Sequence, residues 1–245
     1  EFPLGILGVA LGTVILPSLS RRHAESDPVS FSATLDWGLR WLILFGVPAA
    51  AGLLILAGPM IATLFHSQEF DAVDVAMARQ SLWAYSLGLV GFMGVKVLAP
   101  GFYARQDTRT PVRFAVIAMV ANMVLNLTLV WSLAHAGLAL ATSLAACLNS
   151  GLLLRGLLRD GAYRPLPGWR ALLARTAFAV AVMGALLLWA SPELQEWLAW
   201  GSWERARRLG GLILAGVAAY FAALLAAGMR PRDFRSPGGS RPHGS

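Results

Sequence analysis

Long apolar runs, broken by short polar stretches that carry arginine, set the pattern of this chain. A helix that crosses a bilayer needs about 20 mostly apolar residues. Seven runs approach or exceed that length: 3–19, 37–65, 81–103, 112–132, 136–157, 170–190 and 207–229. All seven read as helices, so the expected fold class is all-α, a polytopic transmembrane helix bundle. The second run carries Pro48 and Pro59, which predicts a kink or an end near Gly58. Glycine and alanine recur within the runs, as in "GVPAAAGLL" and "LAGVAAYFAALLAAG". Small residues let helices approach closely in lipid, where hydrophobicity cannot drive association.

Charge then orients the spans. If the first run ends on the cytoplasmic side, the inside connections are 20–36, 104–111, 158–169 and the tail from 230. With their flanking helix ends they hold fifteen arginines, from Arg21 and Arg22 through Arg105, Arg109 and Arg113 to Arg241. The outside connections hold four, Arg79, Arg205, Arg207 and Arg208. This is a strong positive-inside bias, and it alternates through every loop. The net charge of +7 is thereby explained by topology, and nucleic-acid binding is not expected, since no basic patch is interleaved with exposed aromatics. Tryptophans at 37, 41, 131, 169, 189, 197, 200 and 203 fall near predicted membrane edges, where amphipathic rings settle. The stretch 191–205, "SPELQEWLAWGSWER", is expected to lie as an interfacial helix on the outer surface.

Composition agrees with lipid as the solvent. Only 13% of the 245 residues are charged, against roughly 25% in a water-soluble domain, and mean hydropathy is +0.61. The single cysteine, Cys147, excludes an internal disulfide framework. The chain opens on "EFPLGILGVALGTVILPSL", with no basic region or cleavage site of a signal peptide. It is therefore expected to be the C-terminal part of a longer protein.

The polar groups inside the runs are the candidate chemistry. Lys96 is the only lysine and lies past the middle of the third run, nine residues and roughly 13 Å from Arg105. An unpaired ammonium at such depth costs at least about 2.5 kcal/mol. Two readings stand: a lysine facing a polar cavity, or one that snorkels to the interface or is structurally paired. Asn122 and Asn126 are four residues apart and so share a helical face, where they can bond a neighbouring helix or offer oxygens to a hard cation. Thr142, Ser143 and Asn149 could line the same interior. The nearest approach to a carboxylate cluster is "EFDAVD" (Glu69, Asp71, Asp74), better explained as a solvated outside loop. With no phosphate-binding glycine loop and no acid, base and nucleophile set, enzyme chemistry is not expected.

Three stretches carry a family resemblance: "GILGVALGTVILPSLSR", "KVLAPGFYARQDTRTPV" and "HAGLALATSLAACLNSGLL". They resemble the MurJ/MviN family of lipid II flippases, within the multidrug/oligosaccharidyl-lipid/polysaccharide exporters. The resemblance runs in register from residue 1 to about residue 230. It implies a fold of two six-helix lobes around a central cationic cavity, with two further C-terminal helices. On that reading residues 1–157 form the C-terminal transport lobe, 158–229 the two last helices with a groove for a lipid tail, and 230–245 a disordered cytoplasmic tail. The implied activity is movement of undecaprenyl-pyrophosphate-linked disaccharide-pentapeptide, lipid II, across a bacterial cytoplasmic membrane by alternating access. Lys96 matches a cavity lysine of some members.

By the same resemblance, a sodium site of one member maps onto Asn122, Asn126, the carbonyl of Leu138 and Thr142. Asn126 stands where that member has an acid. Sodium is thus the one cofactor the resemblance raises. Expected partners are lipid II, membrane lipids and cell-wall synthesis proteins. The alternatives are a flippase for another polyprenyl-linked glycan or a drug, and a membrane scaffold that transports nothing.

Overall fold

The computed structural model describes residues 9–67 and 70–229. Part of the first predicted run, residue Glu69 and the tail from 230 lie outside the described residues. Within them the chain forms helices α1 (Val9–Ala24), α2 (Pro28–Trp41), α3 (Val47–Phe65), α4 (Ala72–Tyr103), α5 (Arg109–Arg159), α6 (Trp169–Ala190), α7 (Leu194–Ala199) and α8 (Ser202–Ala226). No strand occurs among the described residues. Five helices are long and apolar enough to cross a membrane: Pro28–Phe65, α4, α5, α6 and α8.

Two predicted boundaries change. The connection 20–36 is helical from Pro28 onward, because Asp27 caps the new helix by accepting the Ser30 N–H at 3.0 Å and proline is pre-shaped for a first turn. The helix then continues without a break to Phe65, 38 residues or roughly 57 Å. The proline distortion falls just before Pro48, as a π-helical turn over Leu42–Gly46. Pro48 has no N–H for the carbonyl four residues back, and Leu44 is that residue. The Tyr220 hydroxyl of α8 fills the gap at 2.6 Å.

The second change concerns 191–205. It is not one surface helix. A single short turn of helix, α7, buries Trp197 completely, and α8 starts at Ser202. Of its three tryptophans only Trp203 is exposed, at 82%.

Helix α5 spans 51 residues but is a hairpin. Ala134 takes φ 47° and ψ −127°, the first central position of a type II′ turn. The chain reverses there: a Cβ on Gly137 would lie 2.5 Å from the Leu129 carbonyl, and one on Gly156 would lie 3.1 Å from the Phe114 ring. Each arm has about 25 residues and reaches roughly 37 Å, enough to cross a bilayer. The predicted runs 112–132 and 136–157 are these two arms.

The longer helices pack in series, with α1 set against α2 and α4. The returning arm of α5 lies on α4, α4 on α3, and the α6–α8 pair on the far side of α3. Gly88, Gly91 and Gly94 of α4 make the first contact so close that a Cβ on Gly91 would meet the Cys147 backbone nitrogen at 2.7 Å. Ser143 is buried there, donating to the Ala84 carbonyl at 2.7 Å, so it serves the helix contact and not an open interior.

The arginine-rich end is tied by Asp36, which is 1% exposed. Asp36 Oδ1 accepts from the Tyr163 hydroxyl at 2.8 Å, Trp169 Nε1 at 2.8 Å and the Leu166 N–H at 3.1 Å. Its other oxygen pairs with Arg40. Burial, and then the bond to Asp36, push the Tyr163 hydroxyl well above its ordinary pKa. At the other end Arg205, also buried, donates at 2.7 Å to the Ala62 carbonyl in the last turn of α3, which also accepts the His66 N–H.

Candidate functional site

Three helix faces meet around Lys96. A cavity of about 340 Å³ is lined by Phe92, Val95 and Lys96 of α4, by Ala115, Ala118, Met119 and Asn122 of the outgoing α5 arm, and by Thr142, Ala145, Ala146 and Asn149 of the returning arm. Positions three and four apart recur on each helix, which is one face of each. Four alanines make the room that the lysine stem occupies. Lys96 is exposed to this space.

The cavity's electrostatics are simple. None of its lining residues is an acid, and no ion pair among the described residues includes Lys96. The ammonium is therefore the single charge facing a wall of amides, a hydroxyl and apolar groups. Pro100 sits inside α4 without ending it and deprives the Lys96 carbonyl of its helical donor.

The other predicted site residues divide into two local pairs. Asn126 Nδ2 donates to Asn122 Oδ1 at 3.4 Å, and the Thr142 hydroxyl donates to the Leu138 carbonyl at 2.9 Å. Asn122 and Thr142 line the cavity, while Asn126 and Leu138 stand one helical turn behind them. Two amide oxygens, Asn126 Oδ1 and Asn149 Oδ1, are buried with no hydrogen-bond partner.

Asp71 and Asp74 of the "EFDAVD" stretch have a structural task. Asp71 Oδ1 accepts the N–H groups of Val73 and Asp74, and Asp74 Oδ2 accepts the Asp71 N–H at 3.2 Å. That is a capping box at the start of α4. Among the described residues no group of three or more His, Cys, Asp or Glu side chains is placed to hold a metal ion.

Comparison with known proteins bears on this arrangement. A family model described as "Lipid II flippase MurJ" matches residues 1–204. The chain belongs to the MurJ lipid II flippase family. A probable lipid II flippase MurJ of Vibrio cholerae is 50% identical over 236 residues, covering 96% of this chain and 45% of the relative. The lipid II flippase MurJ of Burkholderia cenocepacia is 40% identical over 237 residues, covering 96% and 46%. A probable lipid II flippase MurJ of Haemophilus influenzae is 41% identical over 236 residues, covering 94% and 46%. The chain thus spans just under half the length of these MurJ relatives. MurJ membership and the long apolar helices together make it part of a multi-pass membrane protein.

Neither Asp36 nor Arg205 stood out in the sequence. Asp36 lies in the connection 20–36, and three of its four partners are some 130 positions away. Its i,i+4 spacing from Arg40 is the one local signal.

Proposed function

We propose that this chain supplies one lobe (1–157) and the two groove-forming helices (158–229) of a protein that moves lipid II between membrane leaflets without chemical catalysis. The supporting observation is the convergence of Lys96, Asn122, Thr142 and Asn149 on one cavity between α4 and both arms of α5. A lone ammonium in a low-dielectric wall attracts a pyrophosphate far more strongly than it would in water. The amides beside it offer N–H donors to phosphate and sugar oxygens. The α6–α8 pair, packed on α3, would guide the prenyl tail. The arginine-rich end would face the cytoplasm of a bacterium, where cell-wall synthesis proteins would be neighbours.

The test is Lys96→Ala in the full-length parent. It should weaken lipid II binding and fail to restore growth to cells depleted of their own lipid II flippase, while Lys96→Arg retains both. Unchanged binding and growth would overturn the role.

A second reading rests on the unpartnered Asn126 oxygen. Asn122, Asn126, Leu138 and Thr142 would hold a sodium ion through neutral oxygens. The Leu138 carbonyl already accepts a hydrogen bond, and the Lys96 ammonium shares the cavity with Asn122 and Thr142, so these residues fit a cation poorly. Stabilisation of the parent by sodium over potassium, lost in Asn126→Leu, would favour this second reading.

A further inference from the structure

A second cavity, of about 220 Å³, opens at the arginine-rich end between α2 and α6. It shares no lining residue with the Lys96 cavity. Arg40 and Arg175 line it, with Trp37, Trp41 and Leu44 on the α2 side and Leu172 one turn nearer Gly168 than Arg175. Arg40 is held firmly: it pairs with Asp36, donates to the Pro167 carbonyl at 2.8 Å and lies over the Trp169 ring. Its charge is therefore partly offset. Arg175 is different. Half-buried in the cavity wall, it takes part in no ion pair or hydrogen bond among the described residues. The cavity thus holds one uncompensated guanidinium beside a second that is fixed in place.

We propose that this cleft binds the phosphate head group of an anionic membrane phospholipid. The inference goes beyond the lipid II reading and rests on the same orientation, with the arginine-rich end at the cytoplasmic interface. A guanidinium fork matches phosphate oxygens in bidentate fashion, and basic clefts between transmembrane helices on the cytoplasmic side suit such head groups. The depth also fits a lipid. Arg175 lies seven residues, roughly 10 Å, along the helix from Gly168, so the charge sits just below the surface. Trp37 and Trp41 stand near the interface level, and Leu44, one turn further along than Arg40, leads inward toward acyl chains. A space of this size holds a phosphate and its glycerol but not a disaccharide-pentapeptide.

The test titrates the full-length parent in detergent with phosphatidylglycerol and with phosphatidylcholine, counting bound lipid by native mass spectrometry. Phosphatidylglycerol should bind more tightly, and Arg175→Gln should weaken it about fivefold, the effect of one basic residue near a charged lipid. Arg175→Lys should keep most of the preference, and phosphatidylcholine should be indifferent to both changes. Lipid II binding should be unaffected by Arg175→Gln, whereas it should fall in Lys96→Ala. Failure of the Lys96 prediction alone would sink the lipid II reading and leave this one standing. Equal affinity for the two phospholipids, no effect of Arg175→Gln, or equal losses in the Gln and Lys variants would overturn the proposal. So would soluble glycerophosphoglycerol binding as tightly as the lipid, since the site would then be one for free phosphate esters.

Discussion

The Tyr220 hydroxyl donates a 2.6 Å hydrogen bond to the Leu44 carbonyl, the group that Pro48 leaves without a helical partner. The carbonyl that a proline leaves unmet is thereby completed by a side chain 176 residues further on. In hydrocarbon no water is at hand to do the same.

Tyr220→Phe should cost about 1–3 kcal/mol, because a buried carbonyl is left unmet. Pro48→Ala restores a backbone donor, so it should recover part of that loss when combined with Tyr220→Phe. Thermal melts of the four proteins in detergent make the double-mutant cycle. Strictly additive effects would show that the two residues are not coupled.

Asp36 should matter more than any exposed acid. Asp36→Asn leaves Arg40 without its ion-pair partner and weakens three further bonds. Breaking a buried pair costs about 3–5 kcal/mol, and the partial exposure of Arg40 lowers this to about 2–3 kcal/mol. Tyr163→Phe removes one donor and should cost about 1 kcal/mol. A melt of Asp36→Asn no lower than that of Tyr163→Phe would contradict the hub.

The α4–α5 contact predicts a sharp contrast between two glycines. A Cβ on Gly91 would press on backbone atoms of Ala146 and Cys147 at 2.7–2.9 Å, whereas one on Gly151 meets nothing within 4 Å. Gly91→Ala should destabilise by about 1–3 kcal/mol through forced separation of the helices. Gly151→Ala should stabilise by about 0.5–1 kcal/mol, since alanine is the better helix former. Folded yield and melting temperature read both.

Ala134 holds a positive φ that glycine adopts freely. Ala134→Gly should therefore raise stability by about 1 kcal/mol without changing the hairpin. A lower melting temperature would mean that the turn is not strained.

Acid should loosen two turns at the arginine-rich end. The Asp27 carboxyl is held below its ordinary pKa by the Ser30 hydroxyl and N–H, and that of Asp107 by the Thr110 hydroxyl and N–H. A carboxyl depressed in the folded state contributes stability that is fully present above its unfolded pKa and lost as pH falls through the folded one. The caps should thus hold at neutral pH and weaken below about pH 4. Asp27→Asn and Asp107→Asn should flatten the acid limb of a melting-temperature profile. An unchanged limb would place the acid sensitivity elsewhere.

Much of the fold was legible because a bilayer imposes a length and a composition on each crossing. The two arms of α5, the break near residues 133–135, and the clustering of arginines could be read directly from "LTLVWSLAHAGLAL" and its neighbours. The family was legible in "KVLAPGFYARQDTRTPV". Lys96 drew notice because an ammonium is costly in an apolar run, and Asn122 because its spacing from Asn126 sets both amides on one face.

The sequence by itself determined which segments are long and apolar enough to cross a membrane, where the hairpin turns and where the arginines cluster, since hydropathy, helix period and arginine placement are local properties. The tertiary structure alone decided that Lys96, Asn122, Thr142 and Asn149 share one cavity while Ser143 turns away. It also decided that Asp36 is a buried hub, that Trp197 is core, and that Tyr220 answers Pro48. Each of these depends on which helix faces which, and that is set by small residues, shape and long-range hydrogen bonds whose partners lie tens to more than a hundred residues apart.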